Sequence, residues 1–111
     1  MIKDYLKNAN FEQTGFSYTL SLISGKYKMI ILYCLMEFHT VRYNELKRYI
    51  QTISHKSLSI SLKELEKDGL IHRKVYNQIP PKVEYSLSKK GNSLMEILDQ
   101  LCIWGEKNKQ N

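Results

Sequence analysis

The amino-acid sequence predicts a mainly α-helical domain with one small β-hairpin, an α+β fold class. Two periodicities lead to this prediction. Leu58, Leu62 and Leu65 recur at helical spacing, so they mark one apolar helix face. Residues 82–87 instead alternate apolar and polar side chains, which is the period of a strand. The chain has 111 residues, which fits a single domain that can bury a core without a metal or a disulfide.

The N-terminal third of the chain is predicted to be largely helical. Residues 1–13 are polar with scattered apolar anchors and are expected to form an arm or a short helix, and residues 14–111 the folded domain. Residues 16–24 form a short apolar-rich segment that Gly25 ends. Residues 26–39 are apolar on nearly every side in their middle, which fits a buried strand or a fully buried helix. Their length and their Leu and Met content favour the helix.

Two amphipathic helices follow, separated by a short break. Residues 42–50 carry apolar side chains on one helical stripe, and Asn44 is a possible N-terminal cap. Ser54 is predicted to cap the second helix. Gly69 is predicted to end that helix in the left-handed conformation, with Leu70 as the accompanying apolar contact.

A β-hairpin comes directly after the second helix. Residues 71–76 are predicted to pair with residues 82–87 across the loop 77–81, where Pro80 and Pro81 stiffen the tip. Two short helices joined by a tight turn and followed at once by a two-stranded hairpin are the arrangement of a winged helix-turn-helix. The hairpin is then the wing.

The last segment is predicted to be one helix, over about residues 88–108, with Ser88 as its N-terminal cap. Its apolar side chains cover more surface than one face of a small domain needs, and such a patch usually marks a partner surface. Pairing of two copies through this helix and the N-terminal segment is therefore expected. The alternative is a terminal helix that lies on its own core. The predicted dimer contacts are Leu94, Ile97, Leu98, Leu101 and Trp104.

Charge is concentrated where this fold would meet DNA. The formal net charge is +6, and residues 54–90 hold eight Lys or Arg against four acidic residues. A basic protein suits a polyanionic partner. The outward positions of the second helix are candidates for reading bases, because the N-terminal half of such a helix enters the major groove. They are Ser54, His55, Lys56, Ser57, Ser59, Ile60 and Lys63. The wing would meet phosphate or the minor groove through Lys74, Tyr76, Asn77, Gln78 and Lys82.

Several function classes find no support in the sequence. The longest apolar run has eight residues, too short to cross a bilayer, and the N-terminus lacks a signal peptide, so a cytoplasmic protein is expected. The three histidines have no metal-ligand spacing, and no cofactor motif is complete. No catalytic constellation occurs at loop positions, so an enzyme is not expected. The alternative to DNA binding is a winged-helix domain used only for protein contacts. For the outward helix residues alone, the alternative is a merely solvated surface.

Five segments of the chain together resemble a known family of bacterial transcription factors. They are YTLSLISGKYK (18–28), RYNELKRYI (42–50), ISHKSLSISLKELEKDGLIHRKVY (53–76), IPPKVEYSLSKKG (79–91) and LDQLCIWGE (98–106). Across about residues 14–106 they are similar to the HxlR-type regulators of the winged-helix, MarR-like group. The resemblance implies a homodimer that binds an operator near a regulated promoter. It leaves open the operator, the sign of regulation and any small-molecule effector.

The sequence departs from this family at one position. Several members carry a redox-sensing cysteine just before the YTLSLI-like segment, whereas Thr14 and Gly15 stand there in this chain. Thiol sensing at that site is therefore not expected. Cys34 and Cys102 each lie in apolar sequence and are expected to be small buried hydrophobes.

Overall fold

Helices make up most of the computed structural model, which describes residues 10–110. The expected arm of residues 1–13 therefore lies largely outside the described residues. In chain order the elements are a 3-10 helix Phe11–Gln13, α1 Gly15–Ile23, α2 Lys28–Phe38, β1 Val41–Arg42, α3 Tyr43–Tyr49, α4 His55–Lys67, β2 Ile71–Tyr76, β3 Lys82–Leu87, α5 Lys89–Ser93 and α6 Met95–Asn108.

The helix α2 lies at the centre of the core. Its residues Ile31, Leu32, Cys34 and Leu35 are buried, and α3, α4 and β3 all pack against it. This segment is apolar on nearly every side because neighbours cover it from several directions. The helical interpretation of residues 26–39 is thus confirmed, with Lys28 as the first helical residue.

The helices α3 and α4 form the helix-turn-helix. Leu46 of α3 and the three leucines of the predicted α4 stripe are buried. The predicted cap of α3 is wrong, because Asn44 lies inside the first turn. The helix begins after Arg42, whose backbone N–H donates to the Glu45 carboxylate at 2.9 Å. That contact satisfies a backbone donor next to the start of the helix.

Both predicted ends of α4 are confirmed. The Ser54 hydroxyl accepts a hydrogen bond from the Ser57 N–H at 3.0 Å, so it caps the helix start. Gly69 adopts a φ of 78°, in the left-handed region that glycine favours. The N–H of Leu70 then donates to the carbonyl of Leu65 at 2.9 Å, and the Leu70 side chain is fully buried. These contacts fix α4 at both ends.

The sheet has three antiparallel strands in the order β1-β3-β2. Strands β2 and β3 form the predicted hairpin, with Tyr76 opposite Lys82 and the loop 77–81 between them. The two-stranded prediction was incomplete, because β1 pairs its two residues with Tyr85 and Glu84 of β3. The architecture is a mainly helical winged helix-turn-helix with a small sheet.

The C-terminal segment is two helices rather than one, because it breaks at Leu94 between α5 and α6. Ser88 caps α5 as predicted, accepting from the Gly91 N–H at 2.9 Å. Its own N–H donates to the carbonyl of Leu70 at 3.0 Å. Gly91 lies so close to this carbonyl that a Cβ there would be 2.0 Å from the Leu70 oxygen. The start of α5 thus packs directly on the end of α4.

Lys90 adds two hydrogen bonds to this contact. Its Nζ donates to the Asp68 carbonyl at 3.1 Å and to the Tyr18 hydroxyl of α1 at 2.8 Å. We call the contact of Ser88, Lys90 and Gly91 with the end of α4 the α4–α5 junction. It joins the helix-turn-helix to the C-terminal helices.

Candidate nucleic-acid interface

The outer face of α4 carries the predicted base-reading residues. Because Leu58, Leu62 and Leu65 are buried, the intervening positions turn outward. The fully outward side chains are His55, Lys56, Ile60 and Lys63, whereas Ser57 and Ser59 are half-buried and Ser54 caps the helix. The structure therefore places Lys56, Ile60 and Lys63 on the outer face of α4, with Ser57 and Ser59 at its two opposite edges.

Tyr43 of α3 holds the first turns of α4 in place. Its hydroxyl lies 3.1 Å from the carbonyl oxygen of His55, 3.2 Å from the Nδ1 of His55 and 3.2 Å from the Oγ of Ser59. The Tyr43 and His55 rings are stacked, with centroids 5.9 Å apart. Sequence reasoning placed Tyr43 only in an apolar stripe and missed this role. The contact also engages Ser59, which is therefore less free to meet a base than Lys56.

A second contact fixes α4 from the other side. Lys28 is buried at the start of α2, and its Nζ lies 3.3 Å from the Glu64 carboxylate. Nearby, the Tyr27 hydroxyl donates to the Thr52 carbonyl in the turn before α4 at 3.2 Å. The helix is thus positioned by α2 as well as by α3.

A groove of about 470 Å³ separates α4 from the sheet. Lys63, Arg73 and Glu66 lie along it, with Tyr43 and Tyr85 among its other lining residues. Arg73 was not among the predicted contacts. The sequence nevertheless indicated its position, because the strand period places Arg73 on the same face as the core residue Ile71 and opposite to Lys74. That face is the one that packs toward α4.

The wing residues lie in two groups. Tyr76 lies between two lysines, with the Lys74 Nζ 4.9 Å and the Lys82 Nζ 4.6 Å from its ring centroid. Asn77 and Gln78 are exposed in the loop beyond the strands. All five predicted wing residues therefore lie along the distal half of the hairpin.

Lys82 is less free than its sequence position suggests. Its Nζ lies 3.2 Å from the Glu84 carboxylate, and the two side chains are 25% and 20% exposed. A hydrogen bond from the Tyr76 hydroxyl, with Lys82 and Arg42 nearby, holds the pKa of Glu84 below its ordinary value. Glu84 is therefore an anion at neutral pH, placed among the cations of the wing.

The predicted dimer residues divide between the core and the surface. Leu98 is only 5% exposed and belongs to the protein's own core, and Leu94 is half-buried. In contrast, Ile97, Leu101 and Trp104 are 53%, 51% and 68% exposed. A groove of about 410 Å³ runs along these three residues. The exposed part of α6 is an apolar surface that nothing in residues 10–110 covers.

Thr14, which stands where the resemblance led us to look for a cysteine, has a structural role. Thr14 is 3% exposed, and its Oγ1 accepts from the Ser17 N–H at 3.0 Å, which caps α1. Burial raises the pKa of the Cys34 thiol, which makes a reactive thiolate less available. Cys102 is half-buried on α6, so the expectation of burial is met fully only by Cys34.

Within residues 10–110, no single helix is both long and apolar enough to cross a membrane. Helices α1 and α2 reach the required length and apolarity only when taken together, and they are bent by 78° at their break. No three His, Cys, Asp or Glu side chains in this part of the chain are grouped so that they could hold a metal ion.

Comparison with known proteins agrees with the helix-turn-helix fold. An uncharacterised HTH-type transcriptional regulator of Halalkalibacterium halodurans is 57% identical over 105 residues, which cover 95% of this chain and 93% of the relative. The uncharacterised HTH-type transcriptional regulator YdzF of Bacillus subtilis is 56% identical over 94 residues, covering 85% of this chain and 86% of the relative.

A solved structure and a family profile also match the chain. The redox regulator HypR in its oxidised form superposes with a TM-score of 0.82 at 42% identity, covering 88% of this chain and all of HypR. The profile of the HxlR-like helix-turn-helix family matches residues 22–111. The chain belongs to the HxlR-like helix-turn-helix family of transcriptional regulators.

Proposed function

We propose that the protein is a cytoplasmic transcriptional regulator that binds a specific site on double-stranded DNA as a homodimer. The observation that carries this proposal is the outer face of α4. Basic and polar side chains stand out there from a helix whose apolar stripe is fully buried and whose start is fixed by Tyr43. A rigid, basic helix face of this kind suits the major groove.

Base recognition is assigned to the first turns of α4. Lys56 is exposed and can donate to guanine O6 and N7. Ile60 is exposed one turn later and can contact a thymine methyl group, which explains an apolar side chain on an otherwise polar face. Ser59 serves mainly to bind Tyr43, so it contributes less to recognition.

Phosphate contacts are assigned to the groove and the wing. Lys63 and Arg73 line the groove beside α4, and Lys74 and Lys82 flank Tyr76 on the hairpin. Cations at these two places can bind backbone phosphates on the sheet side of the recognition helix. Such contacts fix the register of the protein on DNA without reading sequence.

Dimerisation is assigned to the exposed apolar face of α6. Ile97, Leu101 and Trp104 form a surface that a soluble monomer would expose to water at a free-energy cost. Phe11 and Phe16 add an exposed aromatic pair near the N-terminus, with ring centroids 6.1 Å apart. A twofold partner that covers α6 and the N-terminal segment would bury both.

A salt titration with two lysine variants tests this assignment. A duplex selected by the wild-type protein from a random library, and a scrambled duplex, are titrated with each variant. Lys56→Ala should weaken binding to the selected duplex by roughly 1–3 kcal/mol and weaken binding to scrambled DNA less. Lys82→Ala should weaken both duplexes equally. It should also lower the slope of log affinity against log salt by about one per lost contact, about two in a dimer.

Lys109→Ala is the matched control, because Lys109 is an exposed lysine near the C-terminal end of α6, paired with Glu106. It should leave both affinities nearly unchanged. If the wild-type protein selected no duplex and its weak binding were insensitive to salt, the domain would serve protein contacts instead. An unchanged slope in Lys82→Ala would show that the wing does not meet phosphate.

A further inference from the structure

The outer face of the sheet carries one acidic side chain among several cations. In the strand register, Arg42 and Lys74 lie directly opposite Glu84 on either side. Directly opposed residues share a face and lie close enough for their side chains to interact. Lys82, two residues before Glu84 on the same strand, also shares this face and is joined to Glu84 at 3.2 Å. Glu84 thus has basic residues on three sides.

Tyr76 strengthens this arrangement. Its ring contacts Lys74 and Lys82, and its nearby hydroxyl helps to hold the pKa of Glu84 below its ordinary value. Glu84 is therefore held by its ion pair with Lys82 and by partial burial, rather than moving freely in water. A half-buried pair of this kind is screened less by salt than a fully exposed one.

We infer that Glu84 is an internal competitor of the DNA phosphate for the wing lysine Lys82, and so limits the affinity of the wing for DNA. This inference rests on the proposed DNA-binding function. A carboxylate and a phosphate oxygen present the same kind of acceptor to an ammonium group. For Lys82 to bind phosphate, it must give up or share its contact with Glu84. Glu84 also repels an approaching phosphate directly.

The carboxylate has a second effect on the free protein. It keeps Lys82 and Tyr76 in a defined position, so removing its charge while keeping its shape is the informative change. Glu84→Gln retains an oxygen that can accept from Tyr76 and a side chain of the same length. It removes only the negative charge that neutralises the wing.

The test compares Glu84→Gln with Glu106→Gln in the full-length protein. Glu106 also pairs with a lysine, Lys109, at 3.0 Å, but near the C-terminal end of α6. Both variants raise the net charge by one unit, so a general charge effect would act on both. Glu84→Gln should bind selected and scrambled duplexes on the order of tenfold more tightly at low salt, because two wings per dimer lose a competitor. Glu106→Gln should change either affinity less than about twofold.

A double-mutant cycle identifies the cation involved. In the Lys82→Ala background, the gain from Glu84→Gln should fall to about threefold or less, which leaves only the effect on Lys74 and Arg42. If the full gain in DNA affinity persisted without Lys82, it would come from the general change in charge. That result would overturn the competition between Glu84 and phosphate for Lys82. Equal affinities for Glu84→Gln and Glu106→Gln would overturn the inference outright.

Elution from immobilised heparin separates this inference from the proposed function. Heparin is a polyanion that needs no operator, so the wing can bind it whether or not the protein regulates genes. Glu84→Gln should elute at higher salt than Glu106→Gln. If the wild-type protein bound no duplex but this difference appeared, the DNA function would fail and the wing inference would stand for polyanions. If the two variants co-eluted, the wing inference would fail.

Discussion

The helices α4 and α6 are nearly equal in length, yet α4 buries most of its large apolar side chains and α6 leaves most of them exposed. In α4, three leucines are buried and Ile60 is the one large apolar side chain left exposed. In α6, Leu98 is the only buried residue, and Ile97, Leu101, Ile103 and Trp104 are all exposed. A single chain thus leaves a polar, basic helix face free at one place and an apolar helix face free at another.

This difference indicates two kinds of partner. A polar face with lysines costs little to expose and gains by meeting phosphate and base edges. An apolar face gains only by leaving water, which requires another apolar surface. The contrast therefore supports the proposal that α4 meets DNA and that α6 meets a second copy of the chain.

Replacing Trp104 tests the assignment of α6 most strongly. In the proposed dimer, Trp104→Asp would put an unpaired charge into the interface from each copy, at a cost of roughly 3–5 kcal/mol per uncompensated charge. We expect monomers by sedimentation velocity at micromolar concentration, whereas we expect the wild-type protein to be a dimer under the same conditions. Trp104→Phe keeps a large apolar side chain and should remain a dimer. If the wild-type protein were a monomer, the proposal that α6 forms a dimer interface would be wrong.

Truncating one leucine on each helix sharpens the comparison. Leu58→Ala removes a fully buried side chain of α4 and should lower the free energy of unfolding by about 2–5 kcal/mol. Leu101→Ala removes an exposed side chain and should alter the stability of the monomer by less than about 0.5 kcal/mol. Urea unfolding at several protein concentrations separates the two effects. Leu58→Ala should shift every curve, whereas Leu101→Ala should weaken only the dependence on concentration.

Equal losses of stability at all concentrations would contradict this contrast, since Leu101 would then behave as a core residue. The same would follow if Leu58→Ala were nearly neutral, because α4 would not depend on its buried stripe.

The smallest expected effect concerns thiols. The helix α4 carries no cysteine, and α6 carries the half-buried Cys102. Thr14 stands where the resemblance led us to look for a thiol, and the pKa of Cys34 is raised by burial. We therefore expect no change in DNA affinity when diamide is added. Release of DNA by the oxidant, lost in Cys34→Ser or Cys102→Ser, would show that one of these thiols is a sensor.

Features set by local chemistry were predictable from the sequence. Ser54, Gly69 and Ser88 each act through backbone groups only a few residues away, so their roles follow from residue type and spacing. The strand β1 was not predictable because two residues cannot show an alternation. The break at Leu94 was missed because neither glycine nor proline marks it and both flanking segments are helical.

In the candidate site, too, locally determined features could be predicted and those that depend on packing between elements could not. The outward orientation of Lys56, Ile60 and Lys63 follows from the leucine period of α4, so it could be predicted, whereas their contact with DNA stays a prediction. The hydroxyl contacts of Tyr43 with His55 and Ser59 depend on how α3 crosses α4, which no local pattern gives. The cations around Glu84 depend on strand register. Lys82, two residues away, and Lys74, opposite Glu84 in the predicted hairpin, could be related to it from the sequence, whereas Arg42 could not because β1 was not predicted.

The α4–α5 junction has a consequence for the geometry of the operator. Ser88 and Lys90 bind the end of α4 directly, and Gly91 leaves no room for a side chain between α5 and α4. In the proposed dimer, the pairing of α6 would then set the distance and angle between the two recognition helices. Half-sites in successive major grooves lie about 34 Å apart, and each added base pair turns one of them by about a tenth of a turn. The spacing of half-sites on DNA would thus be fixed by the protein's own fold.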